Sequence, residues 1–166
     1  LPMVLHGFGF GAGLALQVAA GVYQLAGVIA DSPVASMQDL LRYRHRRMSG
    51  WMFQLTCWLS RRIFHGDVRA LTPIDVIGGL DTPVLFIHAE FDEEIPESHT
   101  LNLCAASLNP LHEMWRLDDF HGHCSYYVAY PKEYLDHCLM FIDRIVPARF
   151  LVPVETLPNH RTSQAG

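Results

Sequence analysis

The chain has 166 residues, half of them hydrophobic and 17% charged, with a formal net charge of −5. That is one domain's length with enough apolar material for a core, which excludes a disordered chain. The acidic balance argues against nucleic acid as a partner, since a phosphate backbone calls for a basic face.

The cysteines Cys57, Cys104, Cys124 and Cys138 are widely spaced, with no Cys-x-x-Cys pair. This is no disulfide framework, and it reads as a reduced, cytoplasmic protein. No apolar run approaches the roughly 20 residues of a membrane span, and no signal peptide is visible. The chain begins at Leu1 on an apolar run without an initiator methionine, which reads as a piece of a longer protein.

Residues 2–6 predict a short buried strand, and the Ala- and Leu-rich run 9–20 a helix that closes near Gly21. Residues 25–30 predict a second buried strand, ending in Asp31-Ser32-Pro33. Strand, helix and strand at this spacing make a βαβ unit with parallel strands. Residues 34–70 differ in character, with helices expected over 37–48 and 51–64, broken at Ser49-Gly50. They read as an insertion over one end of the sheet, and the basic cluster Arg42 to Arg47 as a solvated helix face.

A third strand, 83–88, runs into the acidic loop Glu90-Phe-Asp-Glu-Glu-Ile-Pro96, and a helix follows at 97–107. A fourth strand, 113–117, leads to the loop Asp118-Asp-Phe-His-Gly-His-Cys124, and a last helix runs from Pro131 to Ile145. The domain is expected over 1–146, with 147–166 a loosely ordered tail. Alternating elements of this kind predict an α/β fold, a doubly wound parallel sheet with function gathered in loops beyond the strands' carboxyl ends.

Those loops hold, in order, an elbow, an acid and a histidine. Gly7-Phe-Gly-Phe-Gly11 has the frame of the G-x-S-x-G nucleophile elbow, with Gly9 where the hydroxyl should be. Together with Val28-Ile-Ala-Asp-Ser-Pro33, Pro83 to Pro96 and His123 to Tyr134, it resembles the α/β-hydrolase superfamily. The likeness is to its serine-hydrolase branch of peptidase-, esterase- and dienelactone-hydrolase-like proteins.

The resemblance implies that Asp92 is the triad acid, in preference to Glu90, Glu93 and Glu94. It favours His123 as the base and leaves His121 as a packing or turn residue. Gly9 then marks a lost nucleophile, and the Phe10 backbone N–H is the remaining oxyanion donor. Ser32, Ser98 and Ser125 lie near these loops, but none is flanked by glycines in a strand-to-helix turn. A reading of His6-Gly7 as an upstream oxyanion loop fails because no elbow follows it.

The family's first strands are absent before Leu1, and 34–70 would be the cap, with Trp51, Phe53, Trp58 and Phe64 as pocket candidates or simple packing. No cofactor is implied. His121, His123 and Cys124 with His137 and Cys138 lack a zinc spacing, so no metal is expected. The expected function is a serine-esterase- or peptidase-type hydrolase that is inactive or very weak towards small ester or amide substrates. The alternative is a non-catalytic pseudohydrolase that binds a ligand or partner.

Overall fold

The computed structural model describes residues 2–22, 25–65 and 67–146. The tail expected over 147–166 lies outside the described residues. Four parallel strands form the sheet: β1 (Met3–Phe8), β2 (Leu25–Asp31), β3 (Val84–Phe91) and β4 (Glu113–His121). They lie in chain order, with Leu5 opposite Val28, Ala30 opposite Phe86 and Ile87 opposite Trp115.

That order has a direct consequence. Successive right-handed crossovers that never reverse direction put their helices on one face of the sheet. Helices α1 (Phe10–Ala19) and α4 (Ser98–Ala106) share that face, where Ala12, Leu16 and Leu103 meet Val28, Ala30 and Phe86. The opposite face is covered by α6 (Pro131–Ile145), whose Tyr134, Cys138 and Phe141 pack on Ile29, Leu85 and Ile87. Both faces are covered, as the sequence predicts, but unevenly. Phe141 is fully buried at the centre of the second face, so its truncation to alanine costs about 3–5 kcal/mol.

Between β2 and β3 lie α2 (Met37–Arg44), α3 (Gly50–Phe64) and three single-turn 3₁₀ helices within 68–79. Ser36 caps α2 by accepting the Asp39 N–H at 3.3 Å. The helix stops at Arg44, four residues before the predicted end, with His45 leaving helical geometry. A short helix α5 (Tyr126–Ala129) precedes α6 and was not expected from the sequence.

The strands also run further than predicted. β1 reaches Phe8, β3 reaches Phe91 and β4 reaches His121. The β3–β4 ladder shifts register between Ala89 and Phe91 and then resumes at Phe91 opposite His121. That irregularity carries pairing into residues that read as loop. Among the described residues no helix is long and apolar enough to cross a membrane.

Candidate active site

β1 delivers the chain to Gly9, which has φ 52° and ψ −118°, and α1 begins at the next residue. The Gly9 N–H donates to the Asp31 carbonyl at 2.8 Å, tying the turn to the end of β2. A side chain at Gly7 would bring its Cβ within 2.6 Å of the Gly11 carbonyl oxygen and 2.7 Å of the Ala12 nitrogen. Strand and helix approach too closely there for anything but glycine. This is the tight strand–turn–helix expected of the elbow.

Asp92 follows β3 with its side chain fully buried. The Nδ1–H of His123 donates to its Oδ2 at 2.7 Å. Its Oδ1 accepts the Glu94 and Ile95 N–H groups at 2.8 and 3.0 Å. Burial alone would raise this carboxyl, but the His123 bond and the two backbone donors outweigh it and hold it below the usual carboxylate value. Its neighbours are engaged elsewhere: Glu90 accepts the Asp119 N–H and pairs with Arg116, and Glu94 pairs with Arg44. His121 stacks on Phe91 with ring centroids 4.4 Å apart.

The other edge of His123 meets the elbow. A Cβ built on Gly9 would lie 2.7 Å from His123 Nε2 and 3.2 Å from Cε1. The structure therefore brings Gly9, His123 and Asp92 into one line, with the imidazole occupying space that a side chain at position 9 would need. The Asp92 hydrogen bond, followed by the contact with Cys124, pushes His123 up to about 10, against the opposing effect of burial.

Sequence reasoning missed two residues of this site. Fully buried His88 at the end of β3 accepts from Thr100 Oγ1 at Nδ1 (2.7 Å) and donates from Nε2 to the Ile95 carbonyl (3.1 Å). Burial lowers its pKa, so it stays neutral and buttresses the turn that presents Asp92. Its only signal was a histidine closing an apolar strand. Cys124, at φ 46°, places Sγ 3.4 Å from His123 Nε2 and 3.8 Å from Nδ1. Its thiol also reaches the Asp31 carbonyl, 3.6 Å from Sγ. Burial raises its thiol.

A second buried group adjoins the first. Tyr134 donates to Asp31 Oδ2 at 3.1 Å and lies 2.9 Å from His6 Nε2, while Ser32 Oγ donates to Asp31 Oδ1 at 3.3 Å. Burial, against the Tyr134 and Ser32 bonds, pushes the Asp31 carboxyl up to about 6.

The cap candidates separate. Phe53 is buried with the Arg42 guanidinium over its ring, 5.4 Å from the centroid. Trp51 and Trp58 lie on the opposite side of α3 from Phe53 and face solvent. The Phe64 side chain lies outside the described residues. Among the described residues there is no group of three or more His, Cys, Asp or Glu able to hold a metal.

No family profile matches the chain. It is similar in structure to the Pyrococcus furiosus esterase Pf2001 (TM-score 0.63, 17% identity, 87% of this chain and 54% of that one). It is also similar to the monoacylglycerol lipase of Paleococcus ferrophilus (TM-score 0.67, 13% identity, 87% of this chain and 69% of that one). The chain has the α/β-hydrolase fold. In sequence it is 34% identical over 113 residues to the uncharacterized protein YqkD of Bacillus subtilis (strain 168), a match covering 64% of this chain and 37% of that protein. The chain thus spans just over a third of that curated relative and about half of the Pyrococcus esterase.

Proposed function

We propose that this α/β-hydrolase domain carries a serine-esterase- or peptidase-type site whose acid and base are present and whose nucleophile is absent. Asp92 takes the part of the acid, His123 that of the base and Gly9 that of the missing hydroxyl. The site would be inert, or very weak, towards ester and amide substrates. The observation that carries this reading is the contact at Gly9: His123 Nε2 lies 2.7 Å from the Cβ position of a residue held at φ 52° in a strand-to-helix turn.

The chemistry follows from the pieces. Acyl transfer at such a turn needs an oxygen or sulfur to attack the carbonyl and a neutral imidazole to take its proton. Glycine supplies no attacking atom, so the His123 imidazole held by Asp92 has no hydroxyl or thiol at that turn to deprotonate. The Phe10 N–H at the start of α1 would remain as an oxyanion donor. Covalent labelling with a fluorophosphonate probe, read by peptide mass spectrometry, tests the reading: the native chain should take no label.

A second reading is ligand binding at the same site without chemistry, favoured by the side-chain-free Gly9 that lies against His123 Nε2. That ring edge would offer a small carboxylate a hydrogen bond, and titration with acetate followed by the His123 ring NMR signals would reveal it. Absence of a saturable shift removes that reading.

A further inference from the structure

Helix α3 turns its apolar side away from the protein. Trp51, Met52, Leu55, Trp58, Leu59 and Ile63 are each between 40% and 69% exposed, while Phe53 and Cys57 point inward and are buried. At 3.6 residues per turn the six exposed side chains fall within a sector of about 140°. One helix therefore has its small inner anchor against the fold and its larger apolar stripe in water. An unpartnered stripe of this kind marks an interaction surface.

Charge says which. Residues 34–70 contain seven arginines, no lysine and only two acidic residues, within a chain of net charge −5. Arg46, Arg47 and Arg62 are exposed and make no ion pair among the described residues, while Arg42 lies over the inward-facing Phe53. Arg62 lies within the apolar sector itself. A cationic rim around exposed tryptophan, leucine and isoleucine fits a surface that is apolar beneath and negative on top. A nucleic acid would use the arginines but leave the aliphatic stripe wet.

We propose that the α2–α3 arm docks on an anionic lipid bilayer, with the tryptophan stripe in the headgroup–acyl boundary and the arginines on the acidic headgroups. The docking is peripheral, with α3 lying in the interface plane. It does not depend on whether the elbow is catalytic.

The test is co-sedimentation of the full chain with phosphatidylcholine vesicles, with and without phosphatidylserine, alongside tryptophan fluorescence. Trp115 stacks on His137 at 3.8 Å, so a Trp115→Phe background leaves Trp51 and Trp58 as reporters. Binding to the serine-lipid vesicles, a blue shift and quenching by brominated acyl chains are expected. Arg46→Glu with Arg47→Glu should weaken binding about tenfold, as should high salt. Trp51→Ser with Trp58→Ser should abolish it, with circular dichroism showing the fold intact.

Equal binding to neutral vesicles overturns the proposal, as does its absence from both. A concentration-dependent dimer lost in the tryptophan double variant, without vesicle binding, assigns the face to self-association instead. Retention on an anionic oligonucleotide but not on vesicles assigns it to nucleic acid.

Discussion

Restoring a hydroxyl at the elbow is the most demanding perturbation the geometry allows. In Gly9→Ser a non-glycine residue must adopt φ 52°, which costs about 1–2 kcal/mol. The new Cβ would stand 2.7 Å from His123 Nε2, where ordinary contact begins at 3.4 Å, so the ring must retreat by roughly 0.7 Å. It can do so cheaply, because the clash is with the far end of a side chain pivoting on its Asp92 bond. The variant should therefore be less stable by about 1–3 kcal/mol in urea denaturation yet remain folded. With Nε2 facing a hydroxyl, it should take fluorophosphonate label in the peptide spanning position 9, and Gly9→Ala should not. A folded Gly9→Ser protein without label would refute the placement of Gly9 and His123 in one site, and label on the native chain would refute the absence of a nucleophile.

Asp92→Asn should drop the His123 titration from about 10 towards its ordinary 6.5, read from the ring NMR signals, because the ion-pair partner is gone. The raised His123 value makes its contribution to stability fully present below about pH 6.5 and lost as pH rises through about 10. Urea denaturation across that range should show a loss of stability that His123→Gln flattens. Asp31 has the opposite sign: its folded value of about 6 lies above the ordinary 3.8, so ionisation costs stability as pH rises between them. Asp31→Asn should accordingly stabilise the fold by about 1–3 kcal/mol near neutrality, measured by thermal melts at several pH values. Gly7→Ala drives a Cβ into the backbone of Gly11 and Ala12, where no side chain can yield, and should cost about 3 kcal/mol or more by denaturant titration.

The sheet was legible because its strands announce themselves as short unbroken apolar runs: Val84 to Ile87 is fully or nearly fully buried, as such a run demands. The pairing of Asp92 with His123 was legible only through the resemblance to α/β-hydrolases, which singles out these two among the neighbouring acids and histidines. The ends of β3 and β4 were not, since pairing resumes beyond a register shift among residues such as Asp118 and Asp119 that look like turn. The outward side of Trp51 and Trp58 was hidden for a related reason. Tryptophan on a helix predicts burial, and nothing in residues 51–64 alone says which of the two apolar sides the sheet takes. His88 escaped notice because one histidine on an apolar strand gives no sign of its partners, which lie in the following loop and helix at Ile95 and Thr100.

The retained acid–base pair also has a sufficient physical role without chemistry. Asp92 and His123 sit on separate loops after β3 and β4, and their 2.7 Å bond joins those loops across the mouth of the sheet. In a working elbow the imidazole must be neutral, and the proton it takes must come from the nucleophile. With glycine in place the ring lies against the vacant Cβ position, while its Asp92 bond favours the protonated form. Glycine at position 9 offers no attacking atom, and the Asp92–His123 bond stands as a tie between the two loops. The elbow is little strained, because φ 52° is a conformation glycine adopts at little cost. A His123 titration that stays raised in Gly9→Ser and falls in Asp92→Asn would show that the carboxylate, and not the residue at position 9, sets its charge.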